Sequence, residues 1–140
     1  MKSFMHHVQV NIDTQNIKFY TDLLDFLGWT AIMQTESFAG FHSEENGDVW
    51  FVPAQDNDVS SCNKRGLNHV CFGVSSVQEV DAFVDWLVRN AIKTFPETPK
   101  YKPGFGPGDG EVYYQVMFES PDRILFEIVY TGKNVRSQMD

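Results

Sequence analysis

The chain has 140 residues, 42% of them hydrophobic, which is enough for one compact domain or two small half-domains sharing a core. Its 11 Lys and Arg against 19 Asp and Glu give a formal net charge of −8, and no stretch interleaves basic residues with aromatics, so neither nucleic acid nor an anionic membrane surface is an expected partner. No apolar run reaches the roughly 18 residues that span a bilayer, and the N-terminus lacks the basic start and apolar stretch of a secretion signal, so the cytoplasm is the expected location.

In chain order, His7 to Ile12 alternates, with Val8, Val10 and Ile12 on one strand face and His7, Gln9 and Asn11 on the other. Asp13 and Thr14 are candidate caps for a helix carrying Ile17, Tyr20, Leu24 and Leu27 at helical spacing and ending at Gly28. Strands are expected over 29–34, 38–41 and 49–52, with a tight turn at Glu44-Glu45-Asn46-Gly47. After a polar connector the pattern begins again. In His69 to Val74, Val70, Phe72 and Val74 share one face, and His69, Cys71 and Gly73 share the other. Ser76 and Glu79 have capping-box spacing ahead of a helix with Val80, Phe83, Leu87 and Ala91 on its apolar side. Residues 92–94 start a further strand, and 112–119 and 124–130 are rich in aromatic and branched side chains suited to strands.

Both halves thus read as strand, helix and three strands, and their opening histidines are 69 − 7 = 62 residues apart. An internal duplication explains this pattern, in which two similar units complete each other's core. The expected organisation is a single domain with a first module over 4–53, a connector over 54–66, a second module over 67–131 and a short C-terminal tail over 132–140. Between the second helix and the next-to-last strand, residues 95–110 are crowded with Pro and Gly. They form either a cover, for which Tyr101 and Phe105 argue, or an ordinary surface loop. Cys62 and Cys71 lack the number and spacing of a disulfide scaffold or a zinc motif and read as reduced thiols.

A lone histidine in a strand is usually structural, but His7 and His69 each open the first strand of a repeated unit, on the face away from the apolar stripe. Glu127 joins them. It lies inside Ile124-Leu-Phe-Glu-Ile-Val-Tyr130, where a buried carboxylate is costly unless a metal or cation meets it; the alternative is a strand at the sheet margin with Glu127 in solvent. Two imidazoles and a carboxylate suit one divalent cation, Zn, Ni, Mn or Fe(II), and leave positions open for water and substrate. His6 competes with His7 for the first position, and parity favours His7 because His6 shares the face of Val8 and Val10.

These residues resemble the vicinal-oxygen-chelate superfamily, which includes glyoxalases, bleomycin resistance proteins and extradiol dioxygenases. His7-Val-Gln-Val, Phe19-Tyr20 and Leu27-Gly28-Trp29 look like its first module, and Asn68-His69-Val-Cys-Phe-Gly-Val74 looks like its second. The family ending Asp-Pro-Asp-Gly-x-x-apolar-Glu is matched by Ser120-Pro-Asp-Arg-Ile-Leu-Phe-Glu127, which puts Glu127 at the metal-ligand position and Arg123 in place of the turn glycine. The resemblance implies an α+β fold, with two tandem βαβββ modules forming a cup-shaped mixed sheet and helices on its outer face. It also implies a metal-dependent lyase or isomerase acting on a small molecule with adjacent oxygens, in a homodimer. Two alternatives stay open, an Fe(II) extradiol dioxygenase and a non-catalytic drug-binding protein of the bleomycin-resistance kind. Counting from Gly47, Phe51 stands where a fourth ligand would be, which leaves a three-ligand site.

Tyr113, Gln115 and Met117 share a strand face that the resemblance turns toward the cup, where Tyr113 could donate to a substrate oxygen or serve as an ordinary sheet aromatic. Gln9, Phe51 and Cys71 are further candidates for the cup lining, Cys71 being either a reactive thiol or a buried inert one. Trp50 adds an aromatic wall for flat ligands, and Lys100 and Lys102 are positioned to meet an anion.

Overall fold

The computed structural model describes residues 1–59 and 61–134. Its contacts divide the chain into two compact units, Met1–Val59 and Ser60–Asp140.

In the first unit, β1 (His7–Ile12) leads through a 3-10 turn (Thr14–Asn16) into α1 (Ile17–Phe26), followed by β2 (Thr30–Gln34), β3 (Ala39–Ser43) and β4 (Gly47–Pro53). Asp13 starts the 3-10 turn, its carboxylate accepting from the Gln15 amide at 3.0 Å. The sheet order is β1-β4-β3-β2, with β1 and β4 parallel and the other pairs antiparallel. One sheet face packs on α1. Val10, Ile12, Phe41 and Phe51 are buried with Tyr20, Leu23 and Leu24, and the Phe51 ring stacks on Tyr20 at 4.5 Å. Gly47 opens β4 at φ 79°, where an added Cβ would run into the His6 carbonyl, so the expected tight turn depends on glycine.

The second unit repeats the scheme. It contains β5 (Val70–Gly73), α2 (Val77–Arg89), β6 (Lys100–Tyr101), β7 (Glu111–Glu119) and β8 (Leu125–Lys133), in sheet order β5-β8-β7-β6 with β5 and β8 parallel. At the start of α2 the Ser76 hydroxyl accepts from the Glu79 amide at 3.1 Å, while the Glu79 carboxylate reaches back to the Ser75 amide at 2.6 Å. Phe83 packs on Phe118 at 5.3 Å and Phe118 on Phe126 at 5.7 Å, so this face of β7 and β8 belongs to the helix.

The structure is therefore α+β, with two four-stranded mixed sheets built from βαβββ units. Two expectations need correction. Residues 92–94 supply only an isolated bridge, Thr94 to Phe118, and the first strand after α2 is instead Lys100–Tyr101, inside the Pro- and Gly-rich segment read as either a cover or a surface loop. The expected tail is partly strand. β8 runs on to Lys133 because the nine-residue β7 pairs with it as far as Glu111, and residues 135–140 of that tail lie outside the described residues. Among the described residues no helix is long and apolar enough to cross a membrane.

Arg123 sits at φ 60° in the β7–β8 turn, held by Arg123 N–H to the Ser120 carbonyl at 2.8 Å and Ser120 N–H to the Ile124 carbonyl at 2.9 Å. The turn keeps the left-handed residue that glycine would provide, and arginine carries the strain. Arg123→Gly is expected to stabilise the protein by about 0.5–1 kcal/mol, less than the full relief of strain because glycine loses more chain entropy on folding; urea denaturation measures it.

Candidate functional site

Glu127 lies on β8, the strand flanked by β5 on one side and β7 on the other, with Cys71 and Met117 as its register partners. Alternation turns Phe126 and Ile128 toward α2 and Glu127 to the opposite face. There the carboxylate is 2% exposed, so an isolated charge would carry a large desolvation cost. Both of its oxygens are engaged. Tyr113 donates its hydroxyl to Oε1 at 2.7 Å, and His69 Nε2 stands 2.9 Å from Oε2.

The orientation of His69 is itself held. Asn68 donates Nδ2–H to the Cys62 carbonyl at 2.9 Å, which turns its Oδ1 to His69 Nδ1 at 2.7 Å. An amide oxygen only accepts, so Nδ1 carries a hydrogen. In the neutral ring Nε2 then presents a lone pair to the Glu127 carboxylate. Two electron-rich atoms at 2.9 Å require a proton or a cation between them. This is how a metal-ligating imidazole is usually prepared, with one nitrogen fixed by a neighbour and the other left to bind. In the sequence Asn68 stands out only as part of a motif, and its orienting role follows from a contact to the polar connector that spacing does not reveal.

Tyr113 and Cys71 respond to the same carboxylate. Burial, then the hydrogen bond to Glu127 and its charge, push the Tyr113 phenol up, so it stays protonated and acts as a donor. Burial, then the Glu127 charge, raise the Cys71 thiol to about 12, although the residue as a whole is solvent-exposed. Gln115 and Met117 share this face of β7, with Gln115 fully buried. Lys102 lies 5.5 Å from the Tyr113 ring centre and 5.6 Å from that of Phe105, so part of the Pro- and Gly-rich segment covers Tyr113.

In the first unit, His7 is the exposed opening residue of β1, its Nδ1 3.0 Å from Nδ1 of His6, which precedes the strand. Gln9 lies on the same face, opposite Trp50. Phe51 does not line this face. It is fully buried against Tyr20 because β4 alternation turns it to α1. The register also corrects the equivalence drawn from Gly47: Cys71 pairs with Glu127 as Gln9 pairs with Trp50, so Trp50 holds the first-unit counterpart of the Glu127 position. Its indole lies over Gly40, where an added Cβ would be 2.5 Å from the ring. Among the described residues no three His, Cys, Asp or Glu side chains form a group able to hold a metal, and His69 and Glu127 form a pair.

In metal-free protein at pH 8, Cys71 is expected to alkylate with iodoacetamide about tenfold or more slowly than N-acetylcysteine, because its raised pKa leaves little thiolate until the pH approaches 12. Peptide mass spectrometry follows this, and Glu127→Gln should speed the reaction only in part, burial being the larger cause.

No family model and no curated protein sequence matches the chain. Solved structures do. A glyoxalase candidate from Bacillus halodurans is 27% identical with a TM-score of 0.75, over 90% of this chain and 94% of its own. A glyoxalase/bleomycin resistance protein from Albidiferax ferrireducens is 23% identical with a TM-score of 0.68, over 90% and 98%. A genomically encoded fosfomycin resistance protein from Listeria monocytogenes is 18% identical with a TM-score of 0.62, over 93% and 94%. With its two βαβββ units, the chain shares the fold of the glyoxalase/bleomycin resistance/dioxygenase proteins of the vicinal-oxygen-chelate superfamily, which are among its structural neighbours.

Proposed function

We propose that the chain is a metal-dependent enzyme of the glyoxalase type, with lyase or isomerase chemistry, acting on a small molecule that presents adjacent oxygens to a divalent metal. His69 and Glu127 are its ligands in the second unit, and His7 is the third protein ligand. The observation that carries the reading is the prepared pair: a buried carboxylate facing an imidazole whose Nδ1 is already committed to Asn68. The donor set suits Zn, Ni, Mn or Fe(II). Such a cation, when bound, polarises substrate oxygens as a Lewis acid. Glu127 holds negative charge at the reacting centre, and the neutral Tyr113 phenol fixes the carboxylate by donating its one hydrogen to Oε1, which leaves its oxygen as an acceptor toward a substrate hydroxyl. Support for this class of chemistry comes from the names of two structural neighbours, a glyoxalase candidate and a lactoylglutathione lyase.

A second reading, a drug-binding protein of the bleomycin-resistance kind, is favoured by one feature, the Trp50 indole laid over Gly40 beside Gln9 as a stacking platform.

Metal content after reconstitution with Fe(II), Mn, Ni and Zn in turn, measured by inductively coupled plasma mass spectrometry, decides between them. About one metal per chain is expected in the parent, with large losses in His69→Ala and Glu127→Ala. A parent that binds none of these metals while retaining flat aromatic drugs would favour the second reading. Oxygen uptake with catechols by the Fe(II) form would move the reaction to ring-cleaving dioxygenation.

Tyr113→Phe removes the donor to Glu127 Oε1 and is expected to weaken metal affinity about 10–100-fold. It should also lower the stability of the metal-free protein by about 1–2 kcal/mol, as read by urea denaturation. In a homodimer with sites shared between chains, mixing His7→Ala with Glu127→Ala protein would restore metal binding that neither variant shows alone; sites contained within one chain would stay empty in the mixture.

A further inference from the structure

One step along the sheet from the Glu127 row lies another row: Gly73 of β5, Val129 of β8, Gln115 of β7 and Lys100 of β6, each the register partner of the next. Three properties of this row point to a ligand. Gln115 is fully buried, yet its Oε1 and Nε2 have no hydrogen-bond partner among the described residues, which is costly for a buried amide. A Cβ added at Gly73 would meet nothing within 4 Å, so the β5 end of the row opens onto free space. Among the described residues Lys100 pairs with the exposed Glu97, at 3.1 Å, a surface pair that an incoming anion can replace at little cost. Lys102, over the Tyr113 ring, places a second ammonium on the flank.

We propose that this row is a recognition subsite for a carboxylate, so that the substrate is a two-ended molecule with vicinal oxygens at one end and a carboxylate at the other. The Gln115 amide N–H and the Lys100 ammonium donate to the carboxylate, while Gln115 Oε1 accepts from a hydroxyl or water beside it. Two residues along β7 separate Gln115 from Met117, the partner of Glu127, which sets the two ends about 7 Å apart at the usual strand rise. An aromatic diol carrying a ring carboxylate has about that reach. The subsite rests on the metal-binding reading for the position of the vicinal oxygens, and not for its own donors.

The test uses the full chain loaded with Zn, which avoids oxygen chemistry, and titrates 3,4-dihydroxybenzoate and catechol by isothermal calorimetry. The parent is expected to bind the acid at least about tenfold more tightly than catechol, a gain of the size a charge-assisted hydrogen bond supplies. Gln115→Leu should erase that preference while keeping its Zn and its fold, since it removes an unpartnered polar group rather than a contact. Gly73→Val, which fills open space with a strand-compatible side chain, should weaken the acid more than catechol. In the parent the side-chain amide resonance of Gln115 should shift on addition of the acid. A parent without preference, or a Gln115→Leu protein that keeps both its Zn and the preference, overturns the subsite and leaves the metal reading standing. A parent that holds no Zn, yet still prefers the acid in a manner lost in Gln115→Leu, overturns the metal reading and supports the subsite.

Discussion

A carboxylate buried in the middle of a sheet constrains everything around it. Glu127 stands between two aromatic-backed positions on β8, and no local feature of that strand neutralises it. Its burial is tolerated because Tyr113, fourteen residues upstream, donates to one oxygen, while His69, just before the parallel strand β5, sets Nε2 against the other, where a shared proton or cation joins the two. The β5–β8 register, the length of β7 and the turn at Arg123 all serve that meeting. A shift of one residue in either ladder would turn Glu127 toward α2 and leave it among Phe83, Phe118 and Phe126.

The two faces of the second sheet divide the work. On the helix side, α2 is capped by Ser76 and Glu79 and packs its aromatic stripe on β7 and β8, a rigid backing that fixes strand positions. On the other side the polar residues are few and already oriented. His69 is the clearest case, since the Asn68 amide is locked by the Cys62 carbonyl before it meets the ring. The connector that supplies this carbonyl therefore contributes to the site without lining it.

The first unit keeps the architecture and changes the chemistry. Where the second places Glu127 against Cys71, the first places Trp50 against Gln9, and Gly40 on β3 makes room for the indole. An aromatic plate in one unit and a carboxylate in the other is what a duplicated scaffold permits once only one copy must retain the charged position. The backbone of both halves is held by the buried faces, and the opposite faces are free to diverge.

Alternating strands, capped helices and the repeat with its paired histidines were legible from the sequence, because strand parity and helical spacing are local consequences of backbone geometry. So was the oddity of Glu127 inside an apolar strand. Which residues meet across strands was decided by register, which depends on packing between segments far apart in the chain. That register exchanged Phe51 for Trp50 at the position matching Glu127, because a one-residue offset reverses the face. It set β6 within a segment that composition marked as loop, and it gave Asn68 the task of fixing the His69 tautomer. It also left Gln115 buried with no hydrogen-bond partner among the described residues, and whether a buried amide is satisfied depends on three-dimensional surroundings that no spacing of residues records.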